Sequence, residues 1–287
     1  MNLIHAVAAR PQRIGLLGGT FDPPHRGHLI LAHHFLRLLQ LDQIIWIPSG
    51  HSWQKEKVSS SEHRLAMTQL LADELRNLIQ QEDVNGDERS TEALGLFYRH
   101  SASSRACIKN EQPNEELLAQ RDHSSPHGHV SNHIEISVSD IEVMRPGPSY
   151  TSGTLRALRA HFGAAASLYW LMGMDQLLHL HTWHDWQLLF DYSHVCVASR
   201  PGYMCKPETD LAPILYEKLG TITLLQSSPH GALLLDQHLD IDLSSSTLRD
   251  ILKGQQINDD ALKKWLTPSI IAYIKQHQLY SFTYPTL

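Results

Sequence analysis

The chain has 287 residues, and its 24 lysines and arginines against 30 aspartates and glutamates give a formal net charge of −6. This charge balance, without a basic stripe, argues against a nucleic-acid partner, because phosphate backbones are bound by clustered Lys and Arg side chains. The apolar stretches are too short to span a bilayer, and residues 1–13 lack the apolar core of a secretory signal. We therefore expect a cytoplasmic protein with no membrane partner.

The first predicted elements are a buried strand and a helix that are joined by a glycine turn. Ile14 to Leu17 is a short apolar run, and from His28 to Leu39 apolar residues recur at helical spacing. His25 and His28 then share one face of the first helical turn, where unpaired N–H groups attract an anion. This pattern predicts a nucleotide phosphate site whose residues are Gly18, Gly19, Thr20, Phe21, His25 and His28.

This turn differs from the two common phosphate-binding loops. No Gly-Lys-Ser/Thr follows the glycines as in a Walker loop, and the Gly-x-Gly-x-x-Gly dinucleotide pattern is missing. A kinase or an ordinary dehydrogenase is therefore not indicated. A glycine pair or a single histidine is common in α/β turns, so the prediction depends on their combination.

The rest of the chain alternates between strands and helices. Further strands are predicted at residues 43–47, 133–138, 168–172, 195–198 and 222–225, and helices at 62–79, 151–161, 175–190, 211–219 and 269–277. Such alternation favours an α/β fold with a doubly wound, Rossmann-like parallel sheet and helices on both faces, followed by a small C-terminal helical subdomain. One domain is expected to span residues 11–280.

A polar segment at residues 81–132 interrupts this pattern and is predicted to be a flexible insertion. Four histidines in and beside it, at 123, 127, 129 and 133, lack the helical spacing of a metal site. Cys107, Cys196 and Cys205 show no Cys-x-x-Cys spacing, so neither a disulfide framework nor a cysteine zinc site is indicated. We expect no protein metal site, and expect Cys196 to pack in a strand.

The glycine turn and its histidines resemble a known superfamily. His25-Arg26-Gly27-His28 is similar to the T/H-x-G-H hallmark of the nucleotidyltransferases, and Gly-Gly-Thr-Phe-Asp-Pro before it is typical of the bacterial nicotinate mononucleotide adenylyltransferases. A second signature, Ile-Ser-Ser-Thr-x-x-Arg, resembles residues 243–249, where Ser246 replaces the threonine and keeps the hydroxyl. A serine run before apolar residues is also a helix N-cap, and the two interpretations are compatible.

Further matches lie in the middle of the chain. Gly173 and Asp175 resemble the family's Gly-x-Asp, and the resemblance implies that this aspartate lies near a ribose hydroxyl and that Trp183 lines the nicotinate ring. Pro148 to Thr151 resembles a Pro-Ser-Tyr-Thr element that borders the pyridine carboxylate. A core indole and an N-capping aspartate are the alternative readings. Arg200-Pro201-Gly202 completes the order of motifs.

One loop departs from the family pattern. Residues 48–55 retain only the ends of Pro-Asn-x-x-Pro-Pro-His-Lys, so Lys55 stands where a phosphate-neutralising cation is expected but could equally be a solvated lysine. The loop's contacts are thus left open.

The resemblance implies adenylyl transfer from ATP to nicotinate mononucleotide, with Mg²⁺ bridging the substrate phosphates. The implied catalytic residues are His25, His28, Lys55 and Arg249. The implied ATP site adds Gly18, Gly19, Thr20, Phe21, Gly173, Asp175, Ser244, Ser245 and Ser246, and the implied acceptor site comprises Tyr150, Thr151, Trp183 and Arg200. Another transferase of the superfamily, such as a pantetheine-phosphate adenylyltransferase or a cytidylyltransferase, and a non-catalytic nucleotide-sensing module remain as alternatives.

Overall fold

The structure is a computed structural model that describes residues 10–50, 58–85, 134–199, 211–239, 245–253 and 259–281. The strands are β1 (Arg13–Gly19), β2 (Gln43–Pro48), β3 (Glu135–Val138), β4 (Ser167–Gly173), β5 (His194–Ala198) and β6 (Leu233–Asp236). The helices are α1 (Arg26–Leu38), α2 (Ser61–Asn85), α3 (Thr151–Phe162), α4 (Met174–Leu178), α5 (Leu189–Tyr192), α6 (Leu211–Lys218), α7 (Ile222–Ser227), α8 (Ser245–Lys253), α9 (Asp259–Lys263) and α10 (Pro268–Gln276). Short 3₁₀ turns cover Leu180–Thr182, Trp186–Leu188 and Leu279–Ser281.

The strands form one parallel sheet in the order β3-β2-β1-β4-β5-β6. The chain runs outward from β1 to β3 and then returns to place β4 on the other side of β1. This reversal creates a crevice beyond the carboxyl ends of β1 and β4, which is where open α/β sheets bind ligands. The predicted Rossmann-like fold is confirmed.

Helices cover both faces of this sheet, because successive strand residues point to opposite sides. In β4, Tyr169 and Leu171 join the core under α1 and α2, whereas Leu168, Trp170 and Met172 join the core under α3. The C-terminal helices α8 to α10 pack on the first of these cores. They form the small helical subdomain that the sequence predicted.

Two sequence predictions are wrong. The strand expected at residues 222–225 is helix α7, whose N-terminus is capped by the Thr221 hydroxyl accepting from Leu224 N–H at 3.2 Å. The strand beside β5 is instead β6. The single helix expected at residues 175–190 is broken into α4, two 3₁₀ turns and α5. The first helix ends at Leu178, Trp183 is extended with a ψ of +142°, and Asp185 adopts a left-handed φ of +50°.

Several predictions concern residues outside the described ranges. Helix α2 continues to Asn85, so the first residues of the predicted 81–132 insertion are helical, and the remainder of that segment lies outside the described residues. So do its histidines, Cys107 and Cys205, whereas Cys196 is buried in β5 as expected. Within the described ranges, no helix combines the length and apolar character needed to cross a bilayer.

Candidate active site

The crevice opens where β1 and β4 end in glycine. Leu17 pairs with Leu171, and two residues further on the strands reach Gly19 and Gly173. A Cβ at Gly18 would lie 2.2 Å from the buried Trp170 ring, so only glycine fits against β4 there. Phe21 then takes a left-handed φ of +51°, and the chain turns through the cis Asp22–Pro23 peptide into α1. The predicted phosphate turn thus lies at the topological switch point.

His25 and His28 stack at the start of α1. His25 is the N-cap residue, and its backbone N–H donates to Nδ1 of His28 at 3.2 Å. The two ring centroids are 3.7 Å apart, and the Phe21 ring meets His28 edge-on at 5.0 Å. Because Nδ1 of His28 accepts a hydrogen bond, the proton of the neutral ring is assigned to Nε2. His28 is therefore fixed as an Nε2–H donor.

The His25 ring is buried, and this burial decides its charge. Desolvation, followed by the neighbouring His28, lowers the pKa of His25 well below its ordinary value. Its Nδ1 is buried and has no hydrogen-bond partner among the described residues. A neutral imidazole with an unsatisfied polar atom at a helix N-terminus is suited to hydrogen-bond an anionic ligand.

Helix α8 brings a cation to this turn. Ser245 Oγ donates to the carbonyl of Pro23 at 3.1 Å, and Arg249 Nη1 donates to the carbonyl of Asp22 at 2.7 Å. Arg249 Nη2 also donates to Ser246 Oγ at 3.0 Å. The second signature therefore lies against the first, although more than 200 residues separate them in sequence.

Two buried charged residues, Asp22 and Arg64, hold the turn in place. The sequence analysis assigned a role to neither. The Asp22 carboxylate is fully buried and accepts from the Tyr280 hydroxyl at 2.6 Å. The Arg64 guanidinium, on α2, donates to the carbonyls of Thr20 at 3.0 Å, Ser49 at 2.6 Å and Ser59 at 3.1 Å. Burial lowers the pKa of Arg64, with Asp22 acting in the opposite direction. These groups fix the turn and the start of the 48–55 loop.

The predicted acceptor residues form a second group at the same edge of the sheet. Tyr150 is the N-cap residue of α3, and its ring stacks on His184 at 4.3 Å. Ser152 Oγ donates to the carbonyl of His184 at 3.2 Å, which joins α3 to the loop that carries the half-buried Trp183. Thr151 is the first residue of α3. These contacts place Tyr150 and Thr151 next to the loop that carries Trp183.

Behind this group lies Glu142, a buried carboxyl group. It accepts from the Thr154 hydroxyl at 2.7 Å, and burial raises the pKa of this carboxyl above its ordinary value. Arg145 Nη1 also donates to Thr154 Oγ1, at 3.2 Å. These contacts brace the first turn of α3.

Gly173 and Asp175 begin the loop after β4. Gly173 is the N-cap residue of α4, and a Cβ there would lie 2.7 Å from Asp175 Oδ1. The glycine therefore lets the exposed carboxylate of Asp175 lie over the end of the strand. Lys55, Arg200 and Ser244 fall outside the described residues.

The described groups could bind phosphates without a protein metal cage. Two imidazoles, a guanidinium and serine hydroxyls converge on a helix N-terminus, a donor set that matches phosphate oxygens. Within the described ranges, no three His, Cys, Asp or Glu side chains are arranged to hold a metal ion.

Comparison with known proteins identifies the family. Residues 16–251 match the family model described as cytidylyltransferase-like. A probable nicotinate-nucleotide adenylyltransferase of Herminiimonas arsenicoxydans is 31% identical over 271 residues, which cover 93% of this chain and 96% of that protein. The chain belongs to the cytidylyltransferase-like family, among its nicotinate-nucleotide adenylyltransferases.

Another probable nicotinate-nucleotide adenylyltransferase, from Neisseria meningitidis serogroup B, is 29% identical over 94% of this chain and 98% of its own length. A solved structure of Plasmodium falciparum nicotinic acid mononucleotide adenylyltransferase, complexed with NaAD, aligns with a TM-score of 0.58 at 15% identity. The alignment covers 95% of this chain and 98% of that one, so the two proteins share the fold. The resemblance read from the sequence motifs is confirmed.

Proposed function

We propose that the protein transfers the adenylyl group of ATP to nicotinate mononucleotide, which yields nicotinate adenine dinucleotide and pyrophosphate. The observation that carries the proposal is the stacked pair of His25 and His28 at the start of α1, with Arg249 bound to the same turn. The names of the curated relatives support the choice of acceptor.

In the proposed reaction, an oxygen of the acceptor's 5′-phosphate attacks the α-phosphorus of ATP. A new P–O bond forms, the bond from the α-phosphorus to the bridging oxygen breaks, and pyrophosphate leaves with that electron pair. A phosphate monoester has a second pKa near 6 and is largely dianionic at neutral pH. The attacking oxygen therefore needs no general base, and catalysis consists of alignment and charge stabilisation.

The described donors have distinct roles in this proposal. His28, with its proton on Nε2, and His25 donate to the α-phosphate and the departing oxygens. Arg249 and the hydroxyl of Ser246 bind the β- and γ-phosphates, while the hydroxyl of Ser245 holds the turn through the Pro23 carbonyl. The glycines at 18 and 19 let backbone approach the phosphates. Lys55 and Ser244 would add a cation and a hydroxyl. Mg²⁺ bound to the phosphates of ATP would neutralise part of their charge.

The acceptor's nicotinate ring is assigned to the group formed by Tyr150, Thr151 and Trp183. Thr151 opens α3, whose first N–H groups suit a carboxylate. Asp175, at the end of β4, is assigned to a ribose hydroxyl, and Arg200 to the acceptor side.

Pyrophosphate release with a panel of acceptors tests the proposal. The purified protein, given Mg²⁺ and ATP, is expected to release pyrophosphate with nicotinate mononucleotide and far less with 4′-phosphopantetheine. Release only with 4′-phosphopantetheine, or only with CTP as donor, would assign the protein to another activity of the superfamily. ATP binding without release by any acceptor would leave a nucleotide-sensing module.

A further inference from the structure

The end of the described chain reaches back to the phosphate turn. Beyond α10, Tyr280 adopts a left-handed φ of +63°, a conformation that residues other than glycine rarely take. The Tyr280 hydroxyl thereby donates to Asp22 Oδ1 at 2.6 Å, across 258 positions of sequence. Such a backbone conformation persists only where surrounding contacts determine it. Here the contact is with a residue of the turn after β1.

The Asp22 carboxylate depends on this hydroxyl. It is fully buried, and Oδ1 also accepts from the backbone N–H of Ser59, at the longer distance of 3.3 Å. Oδ2 is buried and makes no hydrogen bond within the described ranges. A buried charge is costly unless hydrogen bonds satisfy it, so the short bond from Tyr280 is a main support of the ionised group.

Arg249 lies just beyond hydrogen-bond reach of that carboxylate. Its Nη1 is 3.8 Å from Asp22 Oδ2, whereas the same nitrogen donates to the Asp22 carbonyl at 2.7 Å. The guanidinium is therefore anchored to the backbone of the turn, and its ion pair with the carboxylate is long and not hydrogen-bonded. A close pair would direct its charge into the protein and away from a bound triphosphate.

We infer that Tyr280 is a positioning residue for the adenylyl donor. Its hydroxyl holds Asp22 Oδ1, so that Oδ2 stays 3.8 Å from Arg249 Nη1 and this long ion pair does not shorten to a hydrogen-bonded one. The guanidinium then stays on the turn, where ATP phosphates reach it. The identity of the nucleotide rests on the proposed function, whereas the role of Tyr280 toward Arg249 rests on the contacts alone.

The protonation of Tyr280 agrees with a donor role. Burial, and then the adjacent charge of Asp22, raise the pKa of this hydroxyl far above its ordinary value. The hydroxyl is thus a hydrogen-bond donor at neutral pH.

The test compares two tyrosines of the C-terminal subdomain in the full chain. Tyr280→Phe removes the hydroxyl bound to Asp22, and Tyr273→Phe removes one that lies 3.0 Å from His63 Nδ1, away from the turn. We expect Tyr280→Phe to weaken ATP affinity and raise the KM for ATP by about tenfold, because a guanidinium drawn towards Asp22 loses about one charged hydrogen bond to the triphosphate. The KM for nicotinate mononucleotide should change by less than about twofold. Tyr273→Phe should alter neither KM by more than about twofold.

A double-mutant comparison distinguishes a specific effect on the position of Arg249 from a general loss of order in the phosphate turn. Asp22→Asn removes the charge that would draw Arg249 away, so adding Tyr280→Phe to it should weaken ATP affinity by only about twofold. Where Asp22→Asn does not fold, the two tyrosine variants decide the matter.

Three outcomes would overturn the inference: unchanged ATP affinity in Tyr280→Phe, an equal loss in Tyr273→Phe, or a full tenfold loss in the Asp22→Asn background. Direct ATP binding by calorimetry keeps this test apart from the proposed function. If Tyr280→Phe weakens ATP binding but the unaltered protein makes no dinucleotide, the proposed function fails and the positioning role stands. Absence of ATP binding by the unaltered protein would overturn both.

Discussion

Arg64 and Thr20 are joined by a hydrogen bond of 3.0 Å from the Arg64 Nη1 to the Thr20 carbonyl, which ties helix α2 to the phosphate turn. The same guanidinium donates to the carbonyls of Ser49 and Gly50, at 2.6 Å and 2.5 Å. The turn after β1 and the loop after β2 therefore share one buried cation. This shared support makes the geometry of the phosphate site depend on a residue that is not expected to touch ATP.

Replacing Arg64 by lysine should damage both stability and activity. Lysine keeps the charge but loses the planar fork, so carbonyls among Thr20, Ser49 and Gly50 lose their partners. Each unsatisfied buried group costs about 1–3 kcal/mol, and we expect the free energy of unfolding to fall by about 3 kcal/mol. Denaturant titration measures this free energy.

Arg76→Lys is the matched control, since Arg76 lies on the same helix and donates mainly to the Ile136 carbonyl and to Asp73 at the surface. We expect it to cost about 1 kcal/mol or less. Equal losses in the two variants would show that Arg64 has no special role in the turn.

The fit of Gly18 against Trp170 gives a second expectation. A Cβ at Gly18 would lie 2.2 Å from the ring of Trp170, which is buried and cannot move aside. Gly18→Ala should therefore destabilise the protein by about 3 kcal/mol, as overpacking of a core does. A Cβ at Gly153, in α3, would meet nothing closer than 3.7 Å, so Gly153→Ala should stabilise by about 0.5 kcal/mol. Thermal unfolding of both variants checks the opposite signs.

The buried histidine at the start of β5, His194, should make the stability of the protein depend on pH. Its Nδ1 accepts from Ala232 N–H at 3.1 Å and its Nε2 lies 2.9 Å from the Ser228 carbonyl, which only a neutral ring satisfies. Burial lowers the pKa of His194 to about 4. The unfolded chain takes up this proton near pH 6.5, so stability falls as the pH drops from about 6.5 to 4. The loss at pH 4 should be about 3 kcal/mol.

His194→Gln is the control, because a glutamine amide does not titrate and keeps a donor near the Nε2 position for the Ser228 carbonyl. Denaturant unfolding of the two proteins between pH 7.5 and 4.5 should give a steeper decline for the unaltered chain. Burial raises the pKa of Glu142, so this group acts in the opposite direction and favours the folded state as the pH falls. Its effect is the same in both proteins. If the free energies of unfolding of the two proteins fell in parallel with pH, the assignment of a neutral His194 ring in the folded protein would be contradicted.

Much of the site could be predicted because its signals are local. Gly18, Gly19, His25 and His28 lie within eleven residues, and the strand, turn and helix that position them follow from the same stretch. Arg64 was overlooked, although it falls on the apolar stripe of α2 with Met67 and Leu71, where a charged residue needs buried polar partners.

Other features have no local signal. The bond between Tyr280 and Asp22 depends on the packing of the C-terminal helices, which no spacing pattern reveals. A single helix is expected at residues 175–190, but the extended backbone of Trp183 and the positive φ of Asp185 divide the segment. The run Ile222 to Leu225 suits a strand by composition, yet the cap from Thr221 begins a helix there.

The two ends of the His28 ring can be tested separately. His28→Asn keeps an acceptor near the position of Nδ1 for the His25 N–H but removes the Nε2 donor, so it should fold normally and lose activity. His28→Gln keeps a donor near Nε2 and should retain more activity than His28→Asn. Initial rates and melting temperatures of both variants check this order. A His28→Asn variant with more activity than His28→Gln would contradict the assignment of Nε2 as the donor.

Transfer of label from ATP carrying ³²P at the α-phosphorus tests the central claim most directly. With nicotinate mononucleotide and Mg²⁺, the unaltered protein should place the label in nicotinate adenine dinucleotide and release unlabelled pyrophosphate. His28→Asn should do so about 10²- to 10³-fold more slowly, the usual cost of removing one well-placed donor to a transition state. Label that stays in ATP with the unaltered protein, or equal rates in the two proteins, would contradict the account.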